Sequence, residues 1–325
     1  MLINFFKSIR PGVFIILGLC YLAVGVFYAQ PSVPTPAYML PGQLILSELM
    51  GWPILHHALI GVGIILLGFR VNFFTVRAGL FKNSNSLTGL FFLLWLMFFP
   101  ESFNNLSIVI AVFLSSSGVF LLGYSFSANR DSFYTFNASV LFALSSLFYW
   151  PFVLMILLPW LSFIVNGITA WRVWVVALLG PLAIGLIYFS IWIWTDDEGH
   201  YGYVNQVMNW YGNGISHIWR TPDVAYRNVT VLLITLYSLY ELQRNFSRKK
   251  VQNRRVFSLL LLAATIASLI WLLSPSASNE ASLLLGVFFA IFYSNTFYYF
   301  RSKWYWDVVL ILLFAVSAVP FFVGR

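Results

Sequence analysis

The chain has 325 residues, 60% hydrophobic and only 9% charged, with a mean hydropathy of +0.85, whereas soluble domains carry roughly 25% charged residues. It cannot clothe a water-facing surface, so a soluble enzyme or a nucleic-acid-binding domain is excluded. The net charge of +8 reads instead as lysine and arginine gathered on one side of a membrane.

The apolar stretches are continuous and run for about 13–22 residues, unlike the alternating segments of about ten in a β-barrel. The expected fold is an all-α polytopic helix bundle, one integral membrane domain over 1–325, with about 11 spans. Lys7 and Arg10 precede the first apolar run, 13–29, which is longer than a signal-peptide core and lacks a small-x-small cleavage site after it. It is expected to be a retained first span. Residues 30–52 form an outer loop whose four prolines, Pro31, Pro34, Pro36 and Pro41, forbid a regular helix in its first half. Its second half, 43–50, suits a short interfacial helix bearing Glu48.

Span two is expected at 53–69, followed by Arg70, Arg77 and Lys82; span three at 87–99 is short and ends before Pro100-Glu101. Span four occupies 106–126. Spans five (133–149) and six (151–165) form a hairpin turning at Trp150-Pro151. Both fall below the roughly 20 residues a bilayer requires, so they either thin the bilayer locally or re-enter it. Arg172 precedes span seven, 173–194. A polar interruption at 195–228 follows, then span eight (229–242), a basic run at 244–255, and spans nine (256–273), ten (281–300) and eleven (305–324). The single cysteine, Cys20, lies in the first run and has no partner for an intrachain disulfide. No internal repeat, low-complexity tract or soluble domain is evident.

Charge sets the expected orientation. With a cytoplasmic N-terminus, 15 of the 18 basic residues fall in cytoplasmic segments, leaving Arg220, Arg227 and Arg325 outside. Seven of the ten acids fall outside: Glu48, Glu101, Asp196, Asp197, Glu198, Asp223 and Glu280. This satisfies the positive-inside rule in each cytoplasmic loop and places the C-terminus outside.

Chemistry that meets water is expected in the two outer loops. The 195–228 loop holds four of the ten acids, two of the four histidines, four tyrosines and two tryptophans. Its Asp196-Asp197-Glu198-Gly199-His200 cluster, with His217 further on, could bind the phosphates of a lipid-linked substrate, with a divalent cation as the implied cofactor. Glu48 is the candidate catalytic base. The plainer reading is that these carboxylates mark the aqueous boundary after Trp192 and Trp194, since the spacing is not that of a metal motif. His56 and His57 open span two but point about 100° apart on a helix, which disfavours a shared metal. The spans lack a chain of buried acids, and the polar groups Ser115-Ser116-Ser117, Asn137, Ser145-Ser146 and Asn295 suit close helix packing. That pattern disfavours an ion-driven transporter. The basic run 244–255 reads as an orientation signal, or as an attractor of anionic lipid or a cytoplasmic partner. No phosphate-cradling glycine loop, nucleophile elbow or paired-cysteine site is present.

Residues 130–165, with the turn Ser-Leu-Phe-Tyr-Trp-Pro at 146–151, and residues 169–184, with Trp171-Arg172-x-Trp174 leading to Gly180-Pro181, resemble a family of uncharacterised multi-pass inner-membrane proteins of Bacteroidota. A looser resemblance is to polytopic glycosyltransferases that use polyprenyl-phosphate sugars. Those have a cytoplasmic N-terminus, a sizeable first outer loop and a catalytic acid in that loop. Here Glu48 alone stands in for what is often an acidic pair. The resemblance implies an envelope enzyme acting on a polyprenyl-linked glycan at the periplasmic face. The alternative is a non-catalytic scaffold for other envelope proteins, and a transporter is the third reading.

Overall fold

The computed structural model describes residues 18–20, 53–81, 86–100, 105–126, 131–195, 222–247, 249–273, 281–299 and 304–323. Among them the chain is all-α: α1 (Pro53–Arg77), α2 (Leu87–Phe98), α3 (Leu106–Ser125), α4 (Asp131–Phe148), a 3₁₀ segment (Trp150–Leu157), α5 (Leu158–Asn166), α6 (Trp171–Thr195), α7 (Pro222–Phe246), α8 (Val251–Leu273), α9 (Ser282–Tyr299) and α10 (Trp304–Val323). Five of these, α1, α3, α6, α8 and α9, contain a stretch long and apolar enough to cross a bilayer. The apolar stretches of α2, α4, the 3₁₀–α5 unit and α10 are shorter. The chain is a multi-pass membrane protein by the composition of its helices. The first expected span is described only at 18–20, where it is helical.

Helix ends follow local chemistry. The Asn105 side chain accepts from Ser107 N at 3.0 Å, capping α3. Two glycines close helices in the left-handed conformation, Gly79 (φ 61°) after α1 and Gly167 (φ 67°) after α5. At each, the paired bonds of a Schellman turn form: Leu80 N to Thr75 O with Gly79 N to Val76 O, and Ile168 N to Phe163 O with Gly167 N to Ile164 O.

Three expected spans are longer as helices than as apolar runs. α1 continues eight residues past Phe69 to Arg77, α7 extends from Pro222 to Phe246, and α8 begins at Val251. The basic residues that ended those runs lie on the helices themselves. Arg70 sits 4.8 Å over the Phe113 ring and Arg77 5.1 Å over Tyr124, so aromatic faces of α3 accommodate their charge. Most of the expected basic loop 244–255 is thus helical.

The expected hairpin at Trp150-Pro151 turns at Tyr149, whose backbone is extended. The chain then runs for eight residues as a 3₁₀ helix before becoming the nine-residue α5. At about 2.0 Å per residue in 3₁₀ and about 1.5 Å in α, the unit spans roughly 30 Å, against about 26 Å for the same residues as an α-helix throughout. Overwinding the first half brings a segment too short for a membrane helix to roughly the thickness of the hydrocarbon core.

The core is organised around α9. Of its apolar stretch 83% is buried, against 17% for α6. α9 packs against α2, α7, α8, α1 and α3. α2 runs antiparallel to it, since Thr88 meets Ser294 (2.9 Å between hydroxyls) and Trp95 Nε1 donates 3.0 Å to Ser282 O. α2 is 12 residues long and buried at all but Met97. Small residues seat the second layer: a β-carbon on Gly118 of α3 would fall 3.0 Å from Ala138 O of α4, and one on Gly180 of α6 would fall 2.8 Å from Val140 N of α4. The α3–α4–α6 stack is therefore a close approach of backbones. α6 turns Leu178, Leu179, Leu182 and Leu186 outward, as a lipid-facing helix does.

Candidate functional site: a lysine-lined pocket at the basic end

Inside the bundle, many hydroxyls serve their own helices or bridge neighbours. Ser116 and Ser117 donate to Phe113 O, Ser145 to Phe142 O and Ser146 to Ala143 O, and Thr235 bonds the Tyr293 hydroxyl at 2.7 Å. Arg227, 5% exposed, donates from Nη1 to Phe98 O at 3.0 Å. It thereby satisfies a carbonyl that the C-terminus of α2 leaves without a helical partner. The Thr235–Tyr293 and Arg227–Phe98 bonds fasten helices together.

At the opposite end of α9 the polar groups border open space. A cavity of 540 Å³ lies between the Gly79 turn (Gly79, Leu80, Phe81), the end of α7 (Asn245), the connection Lys249-Lys250, the first turn of α8 (Asn253) and the end of α9 (Tyr299). Its walls are set by specific bonds. Asn253 Nδ2 donates 2.9 Å to Gly79 O, fastening α8 to the turn after α1. Asn245 Nδ2 donates to both the backbone and the carboxylate of Glu241, at 3.1 and 2.7 Å. The Glu241 carboxylate also lies 3.8 Å from Arg244.

Lys249 is the distinctive group. Its ammonium turns inward, donates 2.7 Å to Asn295 Oδ1, and lies 4.4 Å and 4.7 Å from the ring centres of Phe257 and Tyr299. Burial pushes its pKa from the ordinary 10.5 down to about 8, because an apolar surrounding disfavours the charged amine. Lys250 is exposed beside it. Arg254 carries a buried Nε without a hydrogen-bond partner, and its backbone N–H donates to Lys250 O at 3.0 Å. Among the described residues no carboxylate pairs with Lys249 or Lys250.

A family model described as a family of unknown function, DUF6427, matches residues 36–324. The chain belongs to the DUF6427 family. No curated protein and no solved structure matches it. The DUF6427 match takes in every helix from α1 to α10, the pocket, and Glu48, Asp196, Asp197, His200 and His217.

Those outer-loop residues, Glu48, Asp196, Asp197, His200 and His217, lie outside the described residues. His56 and His57 at the start of α1 have ring centres 5.5 Å apart at 72°, with His56 buried and His57 partly so. Among the described residues no group of three histidine, cysteine, aspartate or glutamate side chains gathers to hold a metal.

The DUF6427 pocket itself was not legible from the sequence. The run 244–255 reads as an orientation signal and Asn295 as a packing residue. The one available sign was an amide near the basic end of an otherwise apolar span, and pairing it with Lys249 requires bringing together residues 46 positions apart.

Proposed function

We propose that this DUF6427 chain is a multi-pass protein of the bacterial inner membrane that works at the membrane faces, on a lipid-linked glycan, and does not pass solute through its centre. The observation that carries this reading is the packing of the bundle axis. Trp95 fills the space beside Gly286, and Phe91, Phe92, Leu284, Val287, Phe288 and Ile291 are buried around it. Thr88 with Ser294 and Thr235 with Tyr293 spend their hydroxyls on helix-to-helix bonds. A carrier that moves a solute needs polar groups facing a passage, whereas a packed axis suits a protein whose chemistry sits at its ends.

On the outer face the reading gives Glu48 the role of base. Asp196, Asp197, His200 and His217 hold the phosphates, with a divalent cation where the carboxylates recruit one. The charge asymmetry of the sequence puts that face in the periplasm and the lysine-lined end in the cytoplasm.

The test is complementation of a deletion strain with Glu48→Gln and, separately, with Asp196→Asn and Asp197→Asn combined. Membrane levels are followed by blotting and envelope glycans by gel and mass spectrometry. Loss of a glycan at normal protein level is the expected result. Full function of both variants sinks the enzyme reading and leaves the scaffold reading. Photocrosslinking from Leu182 or Leu186 on the outward face of α6 would then look for a partner.

A further inference from the structure

We propose that the cavity between the Gly79 turn, the α7–α8 connection and the last turn of α9 binds a phosphate-bearing group, with the ammonium groups of Lys249 and Lys250 as its cations. This site uses none of the residues of the glycan reading and stands or falls independently of it.

Three observations converge on it. The cavity, 540 Å³, falls within the roughly 300–1,000 Å³ typical of small-molecule sites. That is more room than a bare phosphate ion takes, so the ligand is a phosphate ester with its attached group. Lys249 is fixed in place by Asn295, Phe257 and Tyr299. An ammonium has three N–H donors and Asn295 takes one. No carboxylate among the described residues neutralises either lysine.

A competing explanation is that the lysines merely balance helix ends, since α1, α7 and α9 all finish here. Each C-terminus carries about half a negative charge, the amino end of α8 offsets one of them, and Asn253 has already taken the carbonyl of Gly79. What remains is less than the charge of two ammonium groups, so the pocket is net cationic. Burial lowers the pKa of Lys249, and an anion bound beside it would restore its full charge.

Two sources offer this chemistry, a soluble phosphate ester and the headgroup of an anionic lipid. The experiment uses the full-length chain in nanodiscs of phosphatidylcholine, with and without phosphatidic acid, and with and without added inorganic phosphate. Protection of the Lys249 amine from acetylation is read by mass spectrometry. Protection by inorganic phosphate in neutral discs assigns the site to soluble phosphate compounds, and protection only by phosphatidic acid assigns it to a lipid headgroup. In either case the exposed-site variant Lys250→Gln, which leaves the packing of Lys249 intact, should weaken the effect about tenfold. Acetylation of Lys249 at the same rate in all four conditions overturns the proposal, as does full protection in Lys250→Gln.

Discussion

Trp95 occupies the space that a β-carbon on Gly286 would fill, and its indole N–H reaches back along the same helix to donate 3.0 Å to Ser282 O. One side chain of α2 thus reads both the missing side chain and a backbone carbonyl in the first turn of α9. Gly286→Leu should expel the indole and cost about 1–3 kcal/mol by overpacking. Trp95→Ala should cost about 3–5 kcal/mol by leaving a cavity. Unfolding in mixed micelles titrated with dodecyl sulfate measures both, and the double variant should fall short of the sum of the two single losses because the residues share one contact.

Arg227 should behave as a structural fastener. Arg227→Met removes a charge-assisted bond to Phe98 O and is expected to lower stability by about 1.5–3 kcal/mol in the same assay. Arg227→Lys should recover part of that, since an ammonium can reach one carbonyl but lacks the guanidinium plane. An unchanged midpoint for Arg227→Met would mean that the α2 terminus is satisfied in another way.

Lys249 makes a signed prediction. Its folded pKa, about 8, lies below its ordinary value of 10.5, so between those values the unfolded chain binds more protons than the folded one. Stability should therefore rise as pH increases from about 8 and level off above about 10.5. The neighbours facing this amine are Asn295 and Tyr299 from α9 and Phe257 from α8, with Lys250 alongside in the chain. Lys249→Gln should flatten this part of the profile while keeping a donor for Asn295.

Orientation can be read chemically. In a Cys20→Ser background, Lys250→Cys should react with a membrane-impermeant maleimide only after the cells are opened, and Asp197→Cys should react in intact cells. The reverse pattern would turn the protein over and move the lysine-lined pocket to the outer face.

Composition and run length were enough to establish a multi-pass all-α protein, and the positions of α2, α3, α6 and α9 follow their apolar runs closely. Boundaries strayed where a run ended at a charge but the helix did not. Arg70 and Arg77 stay on α1 because rings of α3 lie under them, a tertiary fact absent from the local sequence. The hairpin at Trp150-Pro151 was visible, but the 3₁₀ winding that lengthens its second arm was not, since Pro151 announces a helix start without specifying its pitch. Lys249 looked like its basic neighbours, and only the fold distinguishes a lysine pointing at Asn295 from one facing water.

The shortness of α2 has a consequence for how the chain is made. Its 12 residues rise about 18 Å, well short of the roughly 30 Å of hydrocarbon, yet it ends up shielded in the middle of the bundle. The partner that shields it lies far downstream: Thr88 and Ser294 are 206 residues apart. At ordinary rates of synthesis that interval lasts roughly 10–40 s. Through it, α2 must wait beside the translocon with Trp95 unseated, until α9 emerges and closes over it. A nascent chain stalled before α9 would leave that surface open to the membrane's quality-control proteases, so the late helix acts as the checkpoint for the early one.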